Sequence, residues 1–177
     1  MDKESIEVST PQEMPNYIKA VYKREWLALF LEGVCRFSTT LTALVFALVL
    51  LGCAVGNTGL MLELAVVTLV PFIGVSVFRS VFAAPRPREL YDMSSLGELE
   101  PKKSGKSFPS RHVFSSFVIG TSLSFVEPVL GAVVLFFGIT LGACRVLLGY
   151  HFLRDVIAGG LIGVVSGVIG MLIVNIT

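Results

Sequence analysis

Residues 129–176 read VLGAVVLFFGITLGACRVLLGYHFLRDVIAGGLIGVVSGVIGMLIVNI, two apolar runs divided by a short charged cluster from Arg145 to Asp155. A bilayer-spanning helix needs about 20 mainly apolar residues, and Val129 to Leu148 and Phe152 to Ile176 each supply them. The cluster between them then turns the chain at a membrane surface. Working outward, similar apolar stretches lie at about Thr39 to Val55, Leu60 to Ala83 and His112 to Val126, the last needing loop residues or tilt to complete a crossing. With 54% hydrophobic and 15% charged residues and a mean hydropathy of +0.80, the composition excludes an ordinary soluble domain. The expected fold is all-α, an integral membrane bundle of about five transmembrane helices.

The N-terminal region differs. Residues 1–16 are polar with two prolines and no apolar period, and read as a mobile tail; residues 17–177 read as one membrane-embedded domain. Tyr17 to Phe37 mixes Lys19, Lys23, Arg24, Glu25 and Glu32 with Trp26, Leu27, Phe30 and Leu31, which predicts an amphipathic helix at the interface. The order of basic start, apolar run and small-residue cleavage site is missing, so no removed signal peptide is expected. Cys35, Cys53 and Cys144 are far apart and without a C-x-x-C pair, which speaks against a disulfide framework or a zinc site. No carboxylate cluster of the magnesium- or calcium-binding kind is present in the sequence. The expected chemistry uses no metal and no cofactor, and no nucleic-acid partner is expected.

The charge pattern orients the chain. In a five-span arrangement the N-terminal segment, the exit of span two, the start of span three and the turn between spans four and five share one side, and every Lys and Arg maps there. The opposite connections, Gly56 to Gly59 and Glu127-Pro128, carry none. The positive-inside rule puts the charged face in the cytoplasm. Pro85 to Ser107 is the long connection, rich in Pro, Gly, Ser and charge, and a loop of that length in a bundle is often functional.

Three clusters on that face carry the candidate chemistry. Arg79 and Arg86 lie seven residues apart at the end of span two, with Pro85 and Pro87 ending the helix. Two guanidinium groups offer paired donors suited to a phosphate, although arginines at a helix end also simply snorkel. Pro109-Ser110-Arg111-His112 places Ser110 at the N-cap of span three, where free backbone N–H groups and the helix dipole favour an anion. Arg145 precedes Gly149, a residue suited to the interhelical turn, and His151 and Asp155 stand four apart on one helix face. A carboxylate there can fix the imidazole tautomer and leave the other nitrogen free to attack.

In order and spacing, Arg-x6-Arg-Pro, Pro-Ser-Arg-His and Arg-x5-His-x3-Asp resemble the tripartite signature of the type 2 phosphatidic acid phosphatase superfamily, from Arg79 to Asp155. The family pattern has Lys at Arg79, usually Gly at Arg111, and Ser at Cys144; the first change keeps the charge, the second adds a bulky cation and the third removes a hydroxyl. What the resemblance implies is a metal-independent hydrolase of phosphomonoesters or diphosphates. His151 would be the nucleophile forming a phosphohistidine, Asp155 would orient it, and His112 would protonate the leaving oxygen and then activate water. Arg79, Arg86, Ser110, Arg111 and Arg145 would hold the phosphoryl oxygens.

A site at the membrane surface suits a lipid phosphate or diphosphate, and the family's substrates include phosphatidic acid, phosphatidylglycerol phosphate and polyprenyl diphosphate, among which these residues do not choose. Two other readings are a catalytically silent scaffold that binds lipid phosphate and, less favoured for want of internal repeats, an anion transporter. Gly159, Gly163 and Gly167 form a small-residue face on span five; helix packing inside the bundle is favoured over a homodimer seam.

Overall fold

The computed structural model describes residues 13–91 and 105–174. Its described residues form α1 (Asn16–Tyr22), α2 (Glu25–Gly56), α3 (Thr58–Phe82), α4 (Pro87–Leu90), α5 (Arg111–Ser124), α6 (Pro128–Leu147) and α7 (Leu153–Val174). The fold is all-α. Four segments are long and apolar enough to cross a membrane: α2, α3 with its continuation to Leu90, α6 and α7. Their outward side chains are large and apolar, among them Leu48, Leu69, Val70, Phe136, Leu161 and Val165, each more than half exposed. Lipid is the solvent that such a surface fits, and the chain is a membrane protein.

The expected third span, His112 to Val126, is a different object. At 14 residues, α5 is about 21 Å long at 1.5 Å per residue, against about 30 Å of hydrocarbon. It is the central helix, packed chiefly on α7 and α6 and then on α3. Val113, Phe114, Ser116, Val118, Gly120, Thr121, Ser122 and Leu123 are all buried. Protein rather than lipid surrounds it, so small and hydroxylated residues replace a uniform apolar run.

The glycine face of α7 serves this packing. A Cβ on Gly163 would lie 2.7 Å from the Phe117 Cβ and 2.8 Å from the Phe114 carbonyl oxygen, and one on Gly167 would lie 2.8 Å from the Thr121 Cβ. The glycines let α5 and α7 touch backbone to backbone. The seam expected inside the bundle is the α5–α7 contact.

The predicted interfacial helix over 17–37 is two pieces. It breaks at Lys23-Arg24, where Arg24 takes φ −117°, ψ 88°, and α2 then runs on without interruption through the expected first span. Its 32 residues extend about 48 Å, longer than the hydrocarbon core. Ala28, Leu31, Cys35, Ser38 and Thr42, alternately three and four apart, are buried, and α6 is the main partner of this helix. Trp26 and Phe30 stand on the outer surface. The continuity follows from a lack of breakers: Gly33 is the one Gly or Pro between Glu25 and Leu51. Of the expected tail, residues 1–12 lie outside the described residues, while Met14 is buried in a small cluster with Ile18, flanked by Tyr22 and Tyr91. The middle of the long connection, residues 92–104, also lies outside the described residues.

Candidate active site

The site is assembled where the end of α3, the start of α5 and the α6–α7 turn meet. Pro109 and Ser110 precede α5, and Ser110 is its N-cap at φ −69°, ψ 106°. Its backbone N–H donates to the Asp155 carbonyl at 2.8 Å, joining the first turns of α5 and α7. Gly159 permits this approach, since a Cβ there would lie 2.6 Å from the Ser110 carbonyl oxygen. The Ser110 hydroxyl does not cap the helix; it is buried and has no hydrogen-bond partner among the described residues. The first intrahelical bond runs from Phe114 N to Ser110 O at 2.9 Å, so the N–H groups of Arg111, His112 and Val113 emerge at the positive end of the α5 dipole.

Gly149, at φ +69°, makes the turn between α6 and α7. The backbone N–H groups of Tyr150 and His151 both donate to the Arg145 carbonyl, at 2.9 and 3.3 Å, so the turn is wound onto the residue that supplies the arginine. His151 and Asp155 are buried, 2% and 0% exposed. Their nearest approach, His151 Nδ1 to Asp155 Oδ2, is 3.7 Å, longer than a hydrogen bond. Ser107 fills the gap: its hydroxyl donates to Asp155 Oδ2 and lies 3.4 Å from His151 Nδ1. Asp155 Oδ2 also accepts the Phe152 N–H at 3.0 Å. Burial holds the His151 imidazole below the usual histidine range; the nearby Asp155 carboxylate opposes that shift, and the charges of Arg145 and Arg86 add to it. At neutral pH His151 is an unprotonated base.

The arginines divide into two kinds. Arg79 is 7% exposed and turns its guanidinium to backbone, with Nη1 donating to the Pro109 carbonyl and, at 3.4 Å, to that of Ser107, and Nη2 donating to that of Lys106. It staples the strand of chain that leads into α5. Arg86 follows the left-handed residue Ala83, and its backbone N–H donates to the Glu89 carboxylate, which also accepts the Gly105 N–H. The Nε atoms of Arg86 and Arg145 are buried without a hydrogen-bond partner among the described residues. Arg111 is exposed, its guanidinium 5.7 Å from the Phe72 ring centroid. His112 lies within electrostatic reach of Arg145, Arg111, His151 and Arg79. Thus every expected site residue reaches one end of the bundle. Cys144, which stands where the family pattern has Ser, is buried in the α2–α6 core with Cys35, Leu141 and Leu148.

Two residues escaped the sequence reading. Ser107 carries no signal beyond its place two residues before Pro109. Arg88 binds the α6–α7 turn from behind: Nε donates to the Leu148 carbonyl at 2.9 Å, and its guanidinium lies 4.1 Å from the Tyr150 ring centroid and 5.2 Å from that of Tyr22. Tyr22 donates its hydroxyl to the same Leu148 carbonyl at 3.2 Å.

Beside the polar cluster, an apolar groove of about 450 Å³ runs between α6 and α7 with α5 as its floor, lined by Val113, Phe117, Ile139, Gly142, Val146 and Leu153 among others. Among the described residues no three side chains of His, Cys, Asp or Glu converge as metal ligands. The arrangement offers a neutral buried imidazole, a second imidazole, and buried donors of Arg86, Arg145 and Ser110 without a partner among the described residues, groups suited to a tetrahedral oxyanion.

The fold is similar to the crystal structure of Aquifex aeolicus LpxE, with a TM-score of 0.67 and 23% identity over 88% of this chain and 92% of that one. A comparison with curated proteins finds no match. The model of the PAP2 superfamily matches residues 59–176, which takes in the three motif clusters and the helices α3 and α5 to α7 that carry them. On that match, and with the motif residues gathered at one site, the chain belongs to the PAP2 superfamily.

Proposed function

We propose that the chain is a metal-independent phosphatase that hydrolyses a phosphomonoester or diphosphate of a membrane lipid through a phosphohistidine. Family and fold support a phosphatase acting on lipid phosphates. The observation that carries the finer reading is the pairing of a buried, neutral His151 with buried donors of Arg86, Arg145 and Ser110 that have no partner among the described residues. Buried donors left unpaired are costly. A phosphoryl group supplies the oxygens they lack, and the first-turn N–H groups of α5 add a positive end of a dipole.

In the first step the His151 Nε2 lone pair forms a bond to phosphorus while the bond from phosphorus to the lipid oxygen breaks. Before substrate binds, burial and the guanidinium groups hold His112 down to about 3; the substrate's negative charge offsets those groups, and His112 as imidazolium gives its proton to that oxygen. In the second step water attacks the phosphohistidine, passes a proton to His112, and inorganic phosphate leaves with the electron pair of the P–N bond returning to His151. The developing charge on the equatorial oxygens is met by Arg86, Arg111, Arg145 and the Ser110 hydroxyl. Arg79 acts by holding the segment that presents Ser110.

The tail of the substrate is assigned to the groove between α6 and α7, whose upper residues Val113, Val146 and Leu153 are chain neighbours of the polar site. Phosphatidic acid, phosphatidylglycerol phosphate and polyprenyl diphosphate all combine the required head and tail. The charge asymmetry supports a cytoplasmic active-site face. The test is phosphate release by detergent-purified protein in EDTA, across those three lipids, beside His151→Ala. Chelator-resistant release that disappears in the variant is the expected result. Release that survives His151→Ala would sink the phosphohistidine, and binding without release would leave a silent lipid-phosphate scaffold.

A further inference from the structure

We propose that Ser107 is the positioning residue that sets the tautomer of His151, acting as a relay between the imidazole and Asp155; this rests on the hydrolase reading above. A hydroxyl has one proton to donate and lone pairs to accept with. An ionised carboxylate only accepts, so the Ser107 proton goes to Asp155 Oδ2. Toward His151 Nδ1, 3.4 Å away, the hydroxyl is left with a lone pair alone. Nδ1 therefore carries the imidazole proton and Nε2 is bare, which is the state a nucleophile needs. The direct route is longer, 3.7 Å between Nδ1 and Oδ2, so the hydroxyl is the nearer acceptor and carries the carboxylate's orienting effect to the ring.

Its placement is over-determined for an incidental loop serine. Ser107 is 1% exposed, its backbone N–H donates to the Ala84 carbonyl at 2.8 Å, and its carbonyl accepts from Arg79. Arg79 and the end of α3 thus fix the height at which the hydroxyl meets His151. This gives the first cluster a task beyond charge.

The test uses full-length protein in detergent, with Ser107→Ala and Ser107→Cys beside wild type and Ser107→Thr as the variant that keeps the hydroxyl. Ala and Cys are expected to lower kcat by about 10- to 100-fold, the span of a charge-assisted hydrogen bond, with KM within about two-fold of wild type, and Thr to regain most of the rate. In a His112→Gln background the nitrogen chemical shifts of the remaining imidazole should report the Nδ1–H form in the parent and a mixture of tautomers in Ser107→Cys. Unchanged kcat in Ala and Cys, or an unchanged tautomer in Ser107→Cys, would overturn the relay. Should Ser107→Ala not fold, the near-isosteric Cys variant decides alone. Wild type inactive on every lipid would refute the hydrolase reading, while the imidazole spectrum would still judge the relay.

Discussion

A buried imidazole that attacks phosphorus has to be unprotonated when the substrate arrives, and the burial of His151 works in that direction. For a base, a lowered folded-state value means that protonation, and loss of the nucleophile, comes only at a pH below the ordinary histidine range near 6.5. With two histidines in the chain, His112→Gln isolates the signal, and its NMR titration midpoint is expected below 6.5; a midpoint at or above it would show that burial does not govern the site. The two kinds of arginine separate in the same way. Arg79→Met strips three carbonyls of their donor and is expected to lower the melting temperature by about 5–10 °C along with activity. Arg86→Met is expected to cost activity at nearly constant melting temperature. The two clusters that hold His112 and the His151–Asp155 pair were legible in the sequence because each is local, as was Ser110 as an N-cap. The bonds of Arg79 and Ser107 join residues 27 to 48 positions apart. No local pattern announces such contacts.

Helices were legible by length and apolarity, and the α6–α7 turn by Gly149. Their boundaries were less so where charge suggested an interface: the ionic residues of α2 interrupt its apolarity but not its backbone. The glycine face of α7 predicts a test. Gly163→Ala sets a methyl against the backbone of α5, where nothing flexible can yield, and is expected to destabilise the fold by about 1–3 kcal/mol. Gly74→Ala, which meets nothing within 4 Å, is expected to be neutral or slightly stabilising. Thermal unfolding of both variants checks the pair. The groove offers a second test at this scale: Ala143, on its wall, enlarged to Trp is expected to slow turnover of a long-chain lipid phosphate more than that of a water-soluble short-chain ester. Equal slowing of both would remove the tail from the groove.

For the whole molecule, one end gathers the arginines and histidines while the α2–α3 turn at Asn57 lies at the other. If the catalytic end is cytoplasmic, a membrane-impermeant maleimide added to intact cells should label Asn57→Cys and spare Lys106→Cys, in a background where Cys35, Cys53 and Cys144 are replaced. The reverse pattern would put the site outside. A last consequence lies in the tyrosine behind the α6–α7 turn. The family match begins at residue 59, yet Tyr22 of α1 holds the Leu148 carbonyl and shares Arg88 with Tyr150. The N-terminal helices are therefore a buttress to the turn that carries His151: a chain shortened to the matched region would keep every motif side chain and let that turn sag.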